Sequence, residues 1–395
     1  MIERNVKLDN PTRFGGDVKI SESKLKYAAE KALDVLSENI SKFNGRFPQN
    51  ASDAFVYHKG ENNNWTCGMF TGTYWLAFEM TGDKKFKDEA IRQTKTYKER
   101  FEKGIGIKDH DVGFVYSPSC VAGYKITGDE EMREIALKAA EALYNYSYCK
   151  EGGFIMRMME YPQWGGYRTM MDTLMNIALL FWAGEESGDS KFTEAAISQL
   201  KITEKYLIRE DGSSYHHMAF DYVTKKPICG ITLQGNGDES CWSRGHAWGV
   251  YGFPIAYNYI KEDWLIKLHK DVTYFMLNHL PDDMIPYWDY DFVSGDEPRD
   301  SSAGAISVCG MMEMCRHLPD SDPDKKIFEN ASAMMLEALI DTCTEKPHKY
   351  AEGLLYKTSG AVNMGLGIEG IAPYGDYLYL DALMRFLNPN WKMHW

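Results

Sequence analysis

The stretch TGDKKFKDEAI at residues 81–91 is followed by two near-copies, TGDEEMREIAL at 127–137 and SGDSKFTEAAI at 187–197. In each copy the glycine can take the left-handed conformation that ends a helix. The aspartate after it can cap the first turn of the next helix. The pattern therefore predicts a helical hairpin that is used at least three times.

Apolar residues at three- and four-residue steps extend this helical pattern over most of the chain. Strand signals are thin, at most in short segments such as 152–157 and 285–293. Twelve helices in six hairpins fit an all-α toroid of two closed rings, whereas a solenoid, the alternative, would need more uniform spacing. The simplest organisation is one domain over 1–395, with residues 1–20 a poorly structured N-terminal arm. The predicted helices cover 23–43, 66–80, 84–103, 115–126, 130–146, 168–186, 190–209, 243–260, 262–280, 302–317, 323–343 and 375–387.

The composition is that of an ordinary globular chain and argues against several functions. Its 395 residues are 44% hydrophobic with a formal net charge of −13, which argues against disorder, nucleic acid binding and an anionic membrane surface. No apolar run of membrane-spanning length occurs, and the start MIERNVKLDNPTRFGGD is not a secretory signal. Eight scattered cysteines without a CxxC pair indicate reduced core thiols of a cytoplasmic protein. Aromatic residues, 13% of the chain, suit sugar rings and a large helical core equally well.

Two aspartates are candidates for acid–base chemistry. Asp111 stands in HDVGFVYSPSC at 110–120, just before a predicted helix, where N-capping is the plainer interpretation. Asp172 lies one turn from Asn176 in a mostly apolar run. Burial and a nearby ionised carboxylate would raise its pKa, which is how a general acid is made at neutral pH. A buried aspartate tied to the backbone or to Asn176 is the alternative.

The densest polar and aromatic segment combines DGSSYHHMAFD at 211–221 with GITLQGNGDESCWSRGHAWGVYG at 230–252. Trp242 and Trp248 could stack on sugars, and Arg244 could grip a carboxylate through two parallel hydrogen bonds. No HxxxH or HExxH pattern, dinucleotide-binding loop or G-x-S-x-G elbow occurs, so no metal or cofactor is expected.

With these residues in view, the chain resembles the unsaturated glucuronyl hydrolases, glycoside hydrolase family 88, from about residue 20 to residue 387. Several long motifs occur in the family's order, which makes the resemblance specific. They include WTCGMFTGTYWLAFE at 65–79, HDVGFVYSPSC at 110–120, GGFI at 152–155, the helix with Asp172 and Asn176, the segments at 211–221 and 230–252, YWDYDF at 287–292, RDSSAGAISVCGMMEM at 299–314 and YGDYLYLDALMRF at 374–386.

The resemblance implies an (α/α)6 barrel, in agreement with the twelve predicted helices. It also implies an enzyme that removes the 4,5-unsaturated uronic acid from the non-reducing end of oligosaccharides left by polysaccharide lyases. The family hydrates the vinyl ether double bond of that sugar. The ring then opens and releases the rest of the oligosaccharide.

Residue by residue, Asp172 matches the family's general acid/base, which would protonate C-4 and help water attack C-5. Asp111 matches a second motif carboxylate, which we interpret as positioning the sugar and holding the pKa of Asp172 high. Positions that bind or line the substrate pocket are matched by Trp65, His216, Gly230, Thr232, Gln234, Trp242, Arg244 and Trp248.

The chain departs from the family pattern in two places. After GGFI many members carry a tryptophan, whereas here MRMME follows, and Trp164 is a possible substitute. The stretch SGAVNMGLGIEGIAP at 359–373 lacks the lysine and histidine of members that accept sulfated glycosaminoglycan fragments. The parent polysaccharide and the tolerance of sulfate therefore stay open.

Three other functions compete with this interpretation. They are an unsaturated rhamnogalacturonyl hydrolase of a related family, a displacement glycosidase with two carboxylates on the same toroid, and a non-catalytic carbohydrate-binding toroid. The expected partner is an oligosaccharide that ends in an unsaturated uronic acid, and the expected assembly is a monomer or a homodimer.

Overall fold

The computed structural model describes residue 2, residues 4–158 and residues 166–395, so Trp164 lies outside the described residues. Twelve helical units run along the described chain, in the order that the sequence predicts. Their bounds are α1 Glu22–Phe43, α2 Cys67–Thr81, α3 Lys84–Glu102, α4 Val112–Tyr116 continued by Ser117–Val121 and Ala122–Thr127, α5 Glu130–Ala142, α6 Thr173–Asn176 continued by Ala178–Ser187, α7 Ser190–Tyr206, α8 Ser243–Ile260, α9 Asp263–Asn278, α10 Ser301–Cys315, α11 Pro323–Cys343 and α12 Pro373–Leu387.

The three Gly-Asp junctions at 82–83, 128–129 and 188–189 have the predicted geometry. Their glycines are left-handed, with φ of 68°, 71° and 72°. Each aspartate side chain accepts a hydrogen bond from the backbone N–H two residues further on. These local signals therefore fix where α2, α4 and α6 end and where α3, α5 and α7 begin.

Alternate helices form two concentric rings. The even-numbered helices contact one another in sequence, from α2 round to α12 and back to α2, and so close the inner ring. An inner helix is buried on all sides, and in α2 every residue from 67 to 77 is buried. An outer helix such as α3 buries one stripe, as an amphipathic surface helix does. The arrangement is the expected (α/α)6 barrel.

Five of the six helix pairs are hairpins of consecutive helices, and the sixth pair joins distant parts of the chain. In that pair α1 packs as the outer partner of α12. The apolar stripe of α1, with Leu25, Val35 and Leu36 among its buried residues, covers the last inner helix. The first and last helices therefore complete the double ring together.

The strands form small hairpins and one antiparallel sheet outside the rings. The hairpins pair β1 Phe47–Asp53 with β2 Val56–Gly60, and β3 Tyr148–Cys149 with β4 Phe154–Ile155. The four-stranded sheet has the order β5 Arg157–Met158, β6 Tyr167–Met170, β7 His217–Phe220 and β8 Pro227–Ile231. The predicted helix 168–186 was therefore wrong at its start, because 167–170 pairs with β7 across about fifty residues of chain.

Two further segments refine the predicted elements. Helix α4 begins at Val112, before the predicted 115, and its middle part Ser117–Val121 is a π-helix with a proline in the first turn. Proline lacks the N–H that a regular turn would use there. Segment 285–293 makes isolated bridges, such as Tyr287 with Arg299, and contributes no named strand within the described chain.

The N-terminal arm has little regular structure but is firmly attached. It contains one turn of 3-10 helix, Pro11–Phe14. The buried guanidinium of Arg4 donates to the carbonyl of Ile208 at 2.9 Å and pairs with Glu204 at 3.2 Å. Asn330 donates to the carbonyl of Phe14 at 2.7 Å. In the part of the chain that the structure describes, no helix is long and apolar enough to cross a membrane.

Candidate active site

The predicted catalytic residues lie at the end of the barrel where the inner helices begin. Asp111 immediately precedes α4, Asp172 immediately precedes α6, and Trp242 immediately precedes α8. Trp65 stands two residues before α2. Residues of four separate sequence segments therefore converge because the barrel brings the N-termini of its inner helices together.

In the described chain, side-chain caps are frequent on the outer helices, where α9 alone lacks one, and rare on the inner helices. Ser or Asp side chains cap α1, α3, α5, α7 and α11. Of the inner helices in the described chain, α10 alone has a side-chain cap, from Asp300. The capping interpretation of Asp111 was thus wrong: it occupies the N-cap position, but its carboxylate makes no capping bond within the described structure. The positive ends of the helix dipoles favour an anion at this mouth.

A histidine links the two candidate carboxylates. His110 is 2% exposed, and its Nε2 lies 3.2 Å from Oδ1 of Asp111 and 3.6 Å from Oδ2 of Asp172. Its Nδ1 lies 2.5 Å from Oδ1 of Asp109. The side chains of Asp111 and Asp172 each remain 17% exposed. One imidazole therefore holds a group of three carboxylates, all of which keep some exposure.

Asn176 fixes the distance between the two helices that carry these aspartates. Its Oδ1 accepts the backbone N–H of Phe114 at 2.7 Å, and its Nδ2 donates to the carbonyl of Asp172 at 3.1 Å. A side chain on Gly113 would meet the backbone of Asn176 at 2.3 Å, so glycine permits this close approach. The amide therefore ties helix to helix and leaves the carboxylate of Asp172 unbonded by it.

The electrostatics of the cluster differ from the prediction. Burial raises the pKa of Asp111 to about 7. Burial also opposes ionisation of Asp172, but the positive charge of the nearby His110 lowers its pKa. Burial opposes the charge of His110 as well, yet Asp111 and Asp109 raise its pKa to about 10. The raised pKa therefore falls on Asp111 and not, as predicted, on Asp172. Since the two carboxylates titrate together, they share about one proton near neutral pH.

Asp109, His110 and Asp111 also have donor atoms within 4.8 Å of one another, close enough for a cation. A histidine must be neutral to bind a metal ion. The carboxylates around His110 raise its pKa to about 10, so a metal ion bound here would have to displace the proton that this imidazole carries.

An aromatic platform also lines the mouth. The rings of Trp65 and Tyr374 are stacked at 5.3 Å with 14° between their planes. Phe114 packs against Trp65 at 5.3 Å and against Trp248 at 5.1 Å. Trp248 is 2% exposed and Trp242 is 4% exposed, so both form the wall behind the site. Of these three predicted tryptophans, Trp65 keeps the most accessible ring.

Arg244 is buried between this platform and the histidines. Its guanidinium lies 4.3 Å from the ring of Trp242 and 4.7 Å from that of Tyr374. It pairs with Asp300 at 2.8 Å and donates to the carbonyls of Ser359 and Gly360. The acidic partner of Arg244 is therefore Asp300. The Nε–H and one Nη2–H have no partner among the described residues.

His216 lies at the mouth between Trp242 and the residue that precedes Asp172. Its ring lies 4.4 Å from that of Trp242, and its carbonyl accepts the backbone N–H of Met171, next to Asp172. Burial lowers its pKa to about 3, so its imidazole is neutral at working pH. The neighbouring His217 is also buried, and burial lowers its pKa.

Gly230 lies on β8, and Thr232 and Gln234 lie in the loop after it, beside the segment that contains His216. A side chain on Gly230 would meet the ring of Tyr215 at 2.4 Å. Thr232 bonds to Asp238 within the loop, and Gln234 is half-buried. In the described structure these residues make no direct contact with the two carboxylates, so they form an adjoining wall.

Sequence reasoning missed the residues that hold the site together. Asp289 accepts hydrogen bonds from the backbone N–H of Asn236 at 2.9 Å and from the hydroxyl of Ser240 at 2.6 Å. His110, Asp289, Asp300 and Tyr374 all lie inside motifs that resemble the family. Polar residues in such motifs were the available signal.

Comparison with known proteins agrees with this geometry. The family described as Glycosyl Hydrolase Family 88 matches residues 39–313. An unsaturated chondroitin disaccharide hydrolase of Streptococcus pyogenes serotype M1 is 40% identical over 389 residues, which cover 98% of this chain and 97% of that protein.

Solved structures agree over the whole chain. The unsaturated glucuronyl hydrolase of Streptococcus agalactiae has a TM-score of 0.94 at 38% identity and covers 100% of both chains. An aspartate-to-asparagine mutant of that enzyme, complexed with dGlcA-GalNAc6S, has a TM-score of 0.88 at 36% identity and covers 100% of both chains. The barrel, its paired carboxylates and these similarities together lead to one conclusion: the chain belongs to glycoside hydrolase family 88.

Proposed function

We propose that this enzyme removes a 4,5-unsaturated uronic acid from the non-reducing end of lyase-generated oligosaccharides, by hydrating the double bond. The observation that carries the proposal is the group of Asp111, His110 and Asp172 at the mouth of a family 88 barrel. Similar proteins are named unsaturated chondroitin disaccharide hydrolase or unsaturated glucuronyl hydrolase. We therefore place glycosaminoglycan-derived disaccharides first among the substrates.

The mouth supplies what an anionic sugar needs. The N-termini of inner helices α4, α6 and α8 face it, and their dipoles favour the uronate carboxylate. The stacked rings of Trp65 and Tyr374 offer an apolar surface for a sugar face. The free Nε–H of Arg244 can donate to a substrate oxygen. We assign substrate binding to these groups and to His216, with Gly230, Thr232 and Gln234 shaping the adjoining wall.

The mechanism follows from one shared proton. We assign that proton to Asp111 in the unliganded enzyme, because burial raises its pKa to about 7, and His110 lies between Asp111 and Asp172. We propose that substrate binding transfers the proton to Asp172, whose acid form then protonates C-4 of the sugar. The resulting carboxylate of Asp172 accepts a proton from the water that attacks C-5. The carboxylate is thus an acid in the first step and a base in the second.

Isotope transfer tests the chemistry directly. In heavy water, hydration should deliver deuterium to C-4 of the released keto-uronic product, and nuclear magnetic resonance of the early product would detect it. A saturated glucuronide with the same aglycone should be inert, because it has no double bond to protonate. Displacement at the anomeric carbon instead predicts no deuterium at C-4 and comparable rates on the saturated sugar. Either of these two results would reject hydration.

The shared proton also predicts the alkaline limb of the pH profile. Since Asp111 has a pKa of about 7, kcat/KM should be highest below that pH. It should fall about tenfold per pH unit well above pH 7, as the acid form disappears. Measuring kcat/KM from pH 4 to 9 on one unsaturated disaccharide tests this. In Asp111→Asn, whose residual activity should be low, that limb should move. A wild-type profile that stays flat to pH 9 would contradict the proton assignment.

The remaining expectations concern the setting of the enzyme. We propose a cytoplasmic location, supported by eight free cysteines, seven of them buried. We also propose that the chain forms one domain. We expect a monomer or a homodimer, and sedimentation would distinguish these two assemblies. A panel of unsaturated disaccharides from hyaluronan, chondroitin, heparin, gellan and rhamnogalacturonan would identify the parent polysaccharide. A preference for the last of these would favour the rhamnogalacturonyl alternative.

A further inference from the structure

The chain after α12 closes the end of the barrel that lies opposite the catalytic mouth. The carbonyl of Trp391 accepts a hydrogen bond from Arg316, directly after α10. The carbonyl of Trp395 accepts one from Tyr259, near the end of α8, at 2.9 Å. The ring of His394 lies 2.7 Å from Glu79, near the end of α2. Segment 388–395, the C-terminal plug, therefore bridges the C-terminal ends of three inner helices.

One side chain of the plug enters the barrel. Trp395 is 2% exposed, and its ring lies 6.0 Å from Tyr377 and 6.5 Å from Tyr251, on two inner helices. On the third side it meets Phe114 edge to face, at 6.1 Å and 83°. Such aromatic contacts contribute about 0.5–1.5 kcal/mol each beyond their buried area. Trp395 thus fills the barrel interior directly behind Phe114.

Phe114 belongs to the floor of the catalytic mouth. Its ring touches Trp65 of the aromatic platform, and its backbone N–H donates to Asn176. Asn176 in turn bonds to the backbone of Asp172. Asp111 precedes Phe114 by one helical turn, and its carbonyl accepts the N–H of Val115. Phe114 therefore connects the ring of Trp395 to Asp111 along one helical turn, and to Asp172 through Asn176.

We propose that Trp395 is a positioning residue of the catalytic site, acting from the opposite end of the barrel by holding Phe114, and through it the spacing of Asp111 and Asp172. The inference rests on the proposed function for its kinetic readout only. Misplacing a reacting group by about 1 Å can lower a rate about 100-fold. Removing the indole leaves a cavity beneath Phe114, into which the floor can relax.

The experiment compares Trp395→Ala, Trp395→Phe and wild type in the full chain. Nε1 of Trp395 has no hydrogen-bond partner among the described residues, so phenylalanine removes volume and no hydrogen bond. On an unsaturated chondroitin disaccharide, followed by loss of ultraviolet absorbance, Trp395→Ala should lower kcat at least tenfold with KM within about threefold. Trp395→Phe should recover at least a third of the wild-type kcat.

The pH profile should change as well. Asp109, His110, Asp172 and Arg157 are the charged groups that face Asp111. Water entering under Phe114 would weaken the burial that raises the pKa of Asp111, so the alkaline limb of Trp395→Ala should move to lower pH. A purely structural loss would reduce the amount of folded enzyme and leave that limb in place.

Trp264→Ala is the matched control, because Trp264 is a partly buried tryptophan on the outer helix α9. Amide hydrogen exchange over 111–116 supplies a readout that needs no turnover: it should rise in Trp395→Ala and stay unchanged in Trp264→Ala. Wild-type protein that leaves every unsaturated disaccharide intact would reject the proposed function alone. Unchanged exchange over 111–116 in a folded Trp395→Ala protein, or an equal kcat loss in Trp264→Ala, would overturn the positioning role. If Trp395→Ala does not fold, Trp395→Leu takes its place.

Discussion

Asp172→Asn should lower kcat by about 10²–10⁴-fold while the barrel stays folded. Asparagine has nearly the same shape, but it cannot carry the proton that C-4 must receive. The backbone carbonyl of Asp172 and its bond with Asn176 are untouched by this substitution. In the wild type, the Oδ2 atom of Asp172 lies 3.6 Å from Nε2 of His110. Initial rates on an unsaturated disaccharide, together with a melting curve, measure the two quantities separately.

Asp189→Asn is a matched control for this substitution. Asp189 caps the outer helix α7 through a hydrogen bond of 3.1 Å to the backbone of Lys191, and asparagine caps helices equally well. The control should keep both its melting temperature and its kcat. Near-wild-type turnover by a folded Asp172→Asn protein would mean that another group supplies the proton, with Asp111 the first candidate.

Arg244→Ala should lower the free energy of unfolding by about 3–5 kcal/mol, the usual result of removing one partner of a buried ion pair. The side chains of Arg244 and Asp300 are 4% and 0% exposed, so the substitution leaves Asp300 as an unpaired buried carboxylate. The carbonyls of Ser359 and Gly360 would lose their donor too. Chemical denaturation of the variant and of wild type would measure the difference.

The same variant tests whether Arg244 also contacts substrate. Its two unpartnered N–H groups lead us to expect a KM at least tenfold higher for the folded fraction, with a smaller rise in Arg244→Lys. Arg133→Ala is the control, since Arg133 pairs with Glu186 on the surface at 2.5 Å and should change stability by about 1 kcal/mol or less. A lowered stability with an unchanged KM would assign Arg244 to the loop at 359–360 alone.

Local sequence signals predicted most of the fold. The Gly-Asp junctions define helix ends by backbone conformation and capping, which depend on a few adjacent residues. Strand β6 could not be recognised in the same way. Residues 167–170 become a strand because they pair with β7 far along the chain, and strand pairing depends on partners more than on intrinsic preference.

The candidate site was likewise predicted only in part. Motifs pointed to Asp111 and Asp172, and the structure brings both to His110. The distribution of their proton could not be predicted, because it depends on burial by distant segments and on the charges that the fold brings to each carboxylate. The partner of Arg244 was missed for a related reason: Asp300 starts a different inner helix.

The pairing of α1 with α12 has a consequence for how the protein is made. A ribosome adds roughly 5–20 residues per second, so α1 leaves it about 15–70 seconds before α12 is complete. During that interval the apolar stripe of α1 has no native surface to cover. Nascent chains are therefore expected to depend on chaperones until synthesis is nearly finished. A circular permutant that encodes α1 directly after α12 would shorten the wait, and it should yield more folded protein at high rates of expression.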